Sequence, residues 1–500
     1  MFYPKPRLKK KVTNAKINFT NFENAMDTEV DDALLPYKSA KMSYNFNVKN
    51  GALKNGYGFK DLTLPPWQEA EERYIIPPSS PVKKMWHYKY YSSERKRSIE
   101  ELVMYCANGE IHSCQIVGDS PFTAKLLENL DTTAVPKAIN YRLNSEDTLI
   151  ISSETDGMWK YVFNNLIQKV EGAPHIKSMC VHYERLFAVV GGERNRLAFS
   201  ANLDPTDWSE DLSSGGFIEM QDERGGLNKV ISYNDYIYVF RDFGVARVSA
   251  YGDQTDFSVS QLFVSSVKLY GETVTLCGNK VLLLARDGIH QFDGYSTSKL
   301  NLGIDKLFSG VDNDNACGIY YNNKFFLACR LNFNDGEEVG CEKYAGGYIN
   351  NALIEIDLST NEISITRGVD IASMLVLDHE KCSKVIASFN GEYSNRLGQL
   401  TDDGRVFETV LPKVWISPKS NMGYPTKLKH IKECLIKTKT DCKVYIATEK
   451  CKKEFFVRGG DISQRIKLNI TGEQVEVGFK VDSYGETDIS CPSIIVGITN

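Results

Sequence analysis

Along most of the chain, apolar residues come in short runs bounded by turn residues, as in "TLIIS", "YIYVF", "KVLLLA" and "KFFLA". Runs of about four to six residues, rich in β-branched and aromatic types, fit strands buried on both faces better than helices, which need longer stretches at a 3.6 period. The stretch from Ser232 to Gly294 sets the pattern. Twice there, an apolar strand meets a tight turn and a second strand follows, with turns at Arg241-Asp242-Phe243-Gly244 and Arg286-Asp287-Gly288. Asp-Gly and Asp-x-Gly supply the positive-φ positions that a tight hairpin requires.

From Lys83 the strands fall into seven groups, with further turns at Asn108-Gly109, Asp156-Gly157 and Asp293-Gly294 and an insertion, "LDPTDWSEDLSSGG", in the third. Each group spans roughly 40 to 55 residues, the size of a four-stranded propeller blade. The expectation is an all-β chain, with a β-propeller of about seven blades over residues 83–405. Residues 406–500 alternate apolar and charged positions and read as a separate C-terminal β-sandwich, whose first strand is placed to help close the ring. Residues 1–62 read as an extended N-terminal arm leading into a first strand pair, with a turn at Asn50-Gly51 and bends at Gly56 and Gly58. A linker is expected over 63–82, where Pro65, Pro66, Pro77, Pro78 and Pro81 enforce extended backbone.

Five hundred residues exceed one compact core, so two or three domains are expected. With 26 Tyr and 24 Phe against 16 Pro, the composition suits pleated surfaces. A net charge of −5 and a pI near 5.9 give no global field that would draw nucleic acid. Only the N-terminal arm is strongly basic, at Lys5, Arg7, Lys9, Lys10 and Lys11, and Lys9 to Lys11 are candidates for docking onto an acidic neighbour. No apolar run is long enough for a membrane-spanning helix and no secretory core opens the chain, so folding in a cytoplasm is expected. The 12 Cys form no C-x-x-C pair and read as reduced, buried thiols.

No catalytic, cofactor-binding or metal residue is predicted. The chain lacks G-x-S-x-G, H-E-x-x-H, a P-loop and a helix-opening G-x-G-x-x-G, and its seven His are scattered. Asp312, Asp314 and the loop "NFNDGEEVGCEKYAGG" gather carboxylates, but their spacing follows no known Ca²⁺ loop and reads as a solvated excursion. A glycosidase pair on two distant blades would leave no local motif. Trp208, in Asp-Pro-Thr-Asp-Trp-Ser, reads either as a sugar-stacking ring or as a packed loop anchor.

Several spaced phrases carry a resemblance. Phe22, Ala25, Met26, Asp27, Asp32, Leu34, Leu35, Pro36, Ala40, Asn45, Asn50, Gly51, Ala52, Leu53, Gly56, Tyr57 and Gly58 match one, with Ala25 where Gly is usual. Arg196, Ser200, Asp204, Trp208, Gly216, Ile218 and Val239-Phe240 match a second, "VLLLARDGIHQFDG" a third, and Trp415, Ser417, Gly423, Pro425 and Lys427 a fourth. Together these resemble β-propeller-bearing structural proteins of tailed-bacteriophage virions, including the tail-nozzle proteins of short-tailed phages. The resemblance implies a non-enzymatic subunit that assembles in the host cytoplasm as a homo-oligomeric ring in the tail. It would contact other tail or portal-adaptor proteins and the passing phage DNA, with no cofactor and no membrane. Trp208, Trp415 and Lys9 to Lys11 are its candidate interaction residues. The alternatives are a receptor- or glycan-binding tail-tip protein and a glycan-degrading propeller.

Overall fold

The computed structural model describes residues 12–19, 22, 26–32, 34–37, 39–62, 78–117, 123–212, 214–221, 223–333, 347–379 and 382–499. Most of the Pro-rich linker, and Lys9, Lys10 and Lys11, lie outside the described residues.

Seven blades follow one another in the chain and form a β-propeller: six are antiparallel sheets of four strands, and the seventh belongs to a six-stranded sheet completed by strands from outside the blade. Blade 1 opens with Val82–Ser92, blade 2 with Lys137–Leu143, blade 3 with Ile176–His182 and blade 4 with Leu227–Tyr233. Blades 5, 6 and 7 open with Leu269–Cys277, Cys317–Tyr321 and Ile371–His379. These opening strands are the innermost. Each meets the opening strand of the next blade, and that of blade 7 returns to that of blade 1, so the ring is closed. The first turn of several blades explains why the hairpins form. Asn144-Ser145, Asn234-Asp235 and Asn322-Asn323 all have positive φ at both residues, between 46° and 65°. Two-residue loops of that kind match the right-handed twist of the flanking strands, and Asn and Asp tolerate the conformation best.

Closure corrects one expectation. Blade 7 supplies three of its own strands, ending with Leu397–Thr401, and its fourth is Gly58–Asp61, from the N-terminal region. The sandwich's first strand, Lys413–Ile416, pairs instead with Met42–Tyr44 and Val475–Val481. The intervening segment forms only the two-residue strands Arg405–Val406 and Thr409–Val410, too short to replace a blade strand. Phe59 is buried in the closing strand, with its ring edge-on to Phe389 at 5.1 Å. Gly58 is required beside it, because a Cβ there would stand 2.1 Å from the carbonyl oxygen of Arg405.

The sandwich likewise draws on both ends of the described chain. One sheet joins Phe46–Lys49 and Ala52–Asn55 to Asp488–Thr499, Lys429–Thr438 and Gln464–Gly472, with Val12–Asn18 pairing on Asp488–Thr499. The other runs Met42–Tyr44, Lys413–Ile416, Val475–Val481, Cys442–Thr448, Lys452–Val457. The strands Val12–Asn18, Met42–Tyr44, Phe46–Lys49 and Ala52–Asn55, in a stretch read from the sequence as an arm with one strand pair, are thus built into the sandwich, where Ile17 faces Ile494 across the ladder. The fully buried Trp415 centres the core, with Phe22, Phe479 and Phe19 at centroid distances of 4.9, 5.7 and 6.3 Å.

Asn45 fastens the sandwich to the propeller. Its backbone N–H donates to Ile365 O at 2.9 Å, its Oδ1 accepts from Arg367 N at 2.7 Å and its Nδ2 donates to Pro412 O at 2.7 Å. These bonds satisfy the outer strand of blade 6, Ile363–Arg367, which would otherwise end in open polar groups. Thr28 N donates to Gly303 O beyond blade 5 at 2.7 Å. The sandwich therefore flanks blades 5 to 7 and leaves the outer edges of blades 1 to 4 to other uses.

Candidate functional site

Outer strands differ in how they are defended. Those of blades 1, 2 and 3 are Thr123–Leu127, Gln168–Val170 and Gly216–Glu219; they are short, and each carries a charged residue. The outer strand of blade 4, Ser258–Val264, is seven residues long, reads SVSQLFV and has no charge and no proline. Among the described residues no strand pairs with its free edge, and Val259 and Val264 are exposed. Natural sheets shorten, bend or charge such edges because a bare row of N–H and C=O groups invites a further strand. Its sequence signal was legible as a strand, whereas the absence of charge gains meaning only once the strand is known to be outermost.

Beside that edge lies an aromatic face. Tyr183 and Tyr251 touch with centroids 5.5 Å apart, and the Arg247 guanidinium lies 4.5 Å from the Tyr236 ring and 5.5 Å from that of Tyr295. Tyr251 is 74% and Tyr295 69% exposed, so large apolar area faces solvent across blades 3 to 5. The acidic turn Asp253 to Asp256 borders the edge, and Gln254 Nε2 donates to Asp211 O at 2.8 Å, drawing Glu210 and Asp211 into the same flank. Hydrogen bonds from Thr255 hold the Asp253 carboxyl below its ordinary range, so it stays charged.

The sandwich shows the opposite polarity. Residues 78–410 carry 45 Asp and Glu against 32 Lys and Arg, whereas residues 411–500 carry 15 Lys and Arg against 10 Asp and Glu. Its edge strand Lys452–Val457 presents Lys452, Lys453 and an exposed Phe456. Ile462 and Tyr484 add further exposed apolar area on that domain.

The sequence-derived interaction residues fall elsewhere. Trp208 is buried against blades 2 and 3, and its Nε1 donates to Pro205 O at 2.9 Å, so the indole anchors its own loop and has no open face for a sugar. Trp415, in the sandwich core, presents nothing to a partner. Large aromatics reach either place, and sequence spacing does not distinguish them. Lys9, Lys10 and Lys11 lie outside the described residues. Asp314 and Asp312 stand 2.5 and 3.9 Å from Lys268 Nζ, and most of the separate loop "NFNDGEEVGCEKYAGG", residues 334–346, lies outside the described residues. Among the described residues no group of three His, Cys, Asp or Glu side chains gathers as a metal site, and no helix is long and apolar enough to cross a membrane. Among the cysteines whose side chains are described, nine are free and eight of these are buried.

One buried carboxyl has a measurable consequence. Glu101, in blade 1, accepts a hydrogen bond from Tyr161 Oη of blade 2 at 2.9 Å. Burial pushes its pKa up to about 7, against the pull of that hydrogen bond. The unfolded chain releases this proton near pH 4.5 and the folded chain near 7, so between those values the folded state binds more protons and stability falls as pH rises. The loss amounts to about 3 kcal/mol at pH 8. Glu101→Gln, which keeps the acceptor, is expected to match wild type in urea unfolding at pH 4 and to exceed it by about that amount at pH 8. An equal difference at both pH values would refute the assignment.

No protein-family model matches the chain, and no curated protein does. Solved structures show limited likeness. The chain aligns over 69% of its length with 97% of BBS1N, solved in complex with ARL6DN, at 10% identity and a TM-score of 0.42. It aligns over 72% with 96% of the Neurospora crassa Pan2 WD40 domain, at 8% and 0.38. It aligns over 88% with 59% of the extracellular domain of a hybrid two-component system from B. thetaiotaomicron, at 11% and 0.44. The fold assignment rests on the seven blades themselves.

Proposed function

We propose that the protein is a non-enzymatic structural subunit of a tailed-phage virion, assembling head to tail into a ring in the tail. The observation that carries the ring is the presence of two unlike surfaces on one chain. An undefended blade-4 edge with acidic, aromatic flanks lies on the propeller, and a Lys-rich strand edge with exposed Phe456 lies on the sandwich. Unlike, complementary patches produce heterologous contacts, which close into rings when the rotation permits. Opposite charges add register and speed to such an encounter, and aromatic anchors add affinity. The virion assignment is supported by the motif resemblance at Asn50 to Gly58, Arg196 to Phe240 and Trp415 to Lys427.

The purified protein is expected to show a multiple of its 56.3 kDa chain mass by light scattering and a closed ring in negative stain. Lys452→Glu with Lys453→Glu should weaken the assembly about tenfold or more, and Glu210→Lys with Asp256→Lys on the same chain should restore it. Rings unaffected by the first pair would place the contact elsewhere. Absence of the protein from purified particles would overturn the virion reading. A second reading, glycan recognition, is favoured by Tyr183, Tyr251 and Tyr295 alone; it requires binding on a glycan array that Tyr251→Ala removes.

A further inference from the structure

At one level of the propeller bore, the register sets one side chain from each blade around the axis. Opposite the penultimate residue of each blade's second strand stand Lys84, Lys137, Ser178, Lys229, Cys317 and Ser373, facing Tyr105, Ser152, Val189, Phe240, Ala328 and Ser388. In blade 5 that register position is Tyr270, the ladder then breaks until Thr275, and the bulge brings in Glu272. Lys137 Nζ lies 2.9 Å from one Glu272 oxygen and Lys84 Nζ 3.4 Å from the other. Lys229 acts electrostatically on both Glu272 and Lys137. Lys84 and Lys137 thus share one carboxylate, and Lys229, at the same register level, adds a third positive charge.

The layer is walled by protein yet reached by water, for the Lys84, Lys137 and Glu272 side chains keep 24, 18 and 31% of their surface accessible. Cys317 contributes no negative charge, because burial pushes its thiol up to about 11. Ser373 is buried at 1% exposure with no partner for its hydroxyl. The nearby Lys83 and Lys177 are bonded to the neutral side chains of Asn390 and Asn228, at 2.8 Å each, so they relieve nothing. Burial pushes the Lys137 ammonium down to about 8, with Lys84 and Lys229 adding to the push and Glu272 opposing it, whereas at Lys84 burial is outweighed by the pull of Glu272, which raises the ammonium above its ordinary value.

We propose that the bore binds one small tetrahedral oxyanion, of the phosphate or sulfate type, between Lys84, Lys137 and Lys229, with the free hydroxyl of Ser373 in the same layer. An oxyanion would offset the two surplus charges, and lysines serve it as compact point charges whose pull is strengthened away from bulk water. The site is internal to one chain and independent of ring assembly.

Titration calorimetry of the wild-type protein with inorganic phosphate, at constant ionic strength in NaCl, should show one site per chain, and sulfate should compete for it. Lys229→Gln should weaken phosphate binding at least tenfold, and Glu272→Gln, which removes the competing carboxylate, should tighten it. No saturable phosphate binding, failure of sulfate to compete, or equal affinity in Lys229→Gln would each overturn the proposal. The wild-type competition decides the matter even if a variant fails to fold.

Discussion

Removing residues 1–62 is expected to abolish the native fold. The segment supplies Val12–Asn18, Met42–Tyr44, Phe46–Lys49 and Ala52–Asn55 to the two sheets of the sandwich, and Gly58–Asp61 to blade 7. Without it, the ladder of Leu397–Thr401 is left open, Asp488–Thr499 loses two of its partners and Trp415 loses the rings of Phe19 and Phe22. A propeller missing its closing strand holds its first and last blades only by side-chain contact, and exposes an unpaired edge. The single change that reports on the same joint is Phe59→Ala. It empties a site shared with Phe389, Val406 and Phe407, at a cost of about 3 to 5 kcal/mol. Urea unfolding followed by circular dichroism checks both. If residues 63–500 expressed alone unfolded in one cooperative step at the wild-type midpoint, the N-terminal strands would be ornaments.

Trp415→Ala carries the second large effect, again about 3 to 5 kcal/mol. The indole is fully buried in the sandwich and is shared by residues from both ends of the described chain, so the cavity has no short route to collapse. Trp415→Phe separates packing from polarity. The indole Nε1 is buried without a hydrogen-bond partner, so its removal strands no acceptor, and the phenyl ring refills much of the volume. Its cost should stay below about 2 kcal/mol. A Phe variant as unstable as the Ala variant would show that Nε1 has a partner after all, such as an ordered water.

The blades were legible because their determinants are local. Alternating apolar runs and Asn- or Gly-bearing turns lie within about fifteen residues of one another, and turn chemistry fixes the register. The sandwich was legible only in its later half. Nothing near Ile17 announces that it pairs with Ile494, since a strand's partner is chosen by tertiary packing. For the same reason the sequence placed ring closure after residue 406, whereas the closing strand is Gly58–Asp61. The candidate surfaces were harder still. Trp208 and Trp415 stood out by residue type, and burial removed both from the surface. The edge at Ser258–Val264 and the lysines of the bore depend on which strand is outermost and which innermost, facts that belong to the ring and not to any one blade.

The interlacing of the two ends has a consequence for biosynthesis. Strands from Val12 to Asp61 leave the ribosome before the propeller, but their partners at Leu397–Thr401 and Asp488–Thr499 are made only after most or all of it. At about 5 to 20 residues per second, a nascent chain carries those strands unpaired for roughly 20 s or more. During that interval the blades can fold one by one, while the emerged apolar strands wait as free edges open to wrong partners. Production of this protein should therefore depend on holding chaperones and on low temperature far more than its finished stability would suggest.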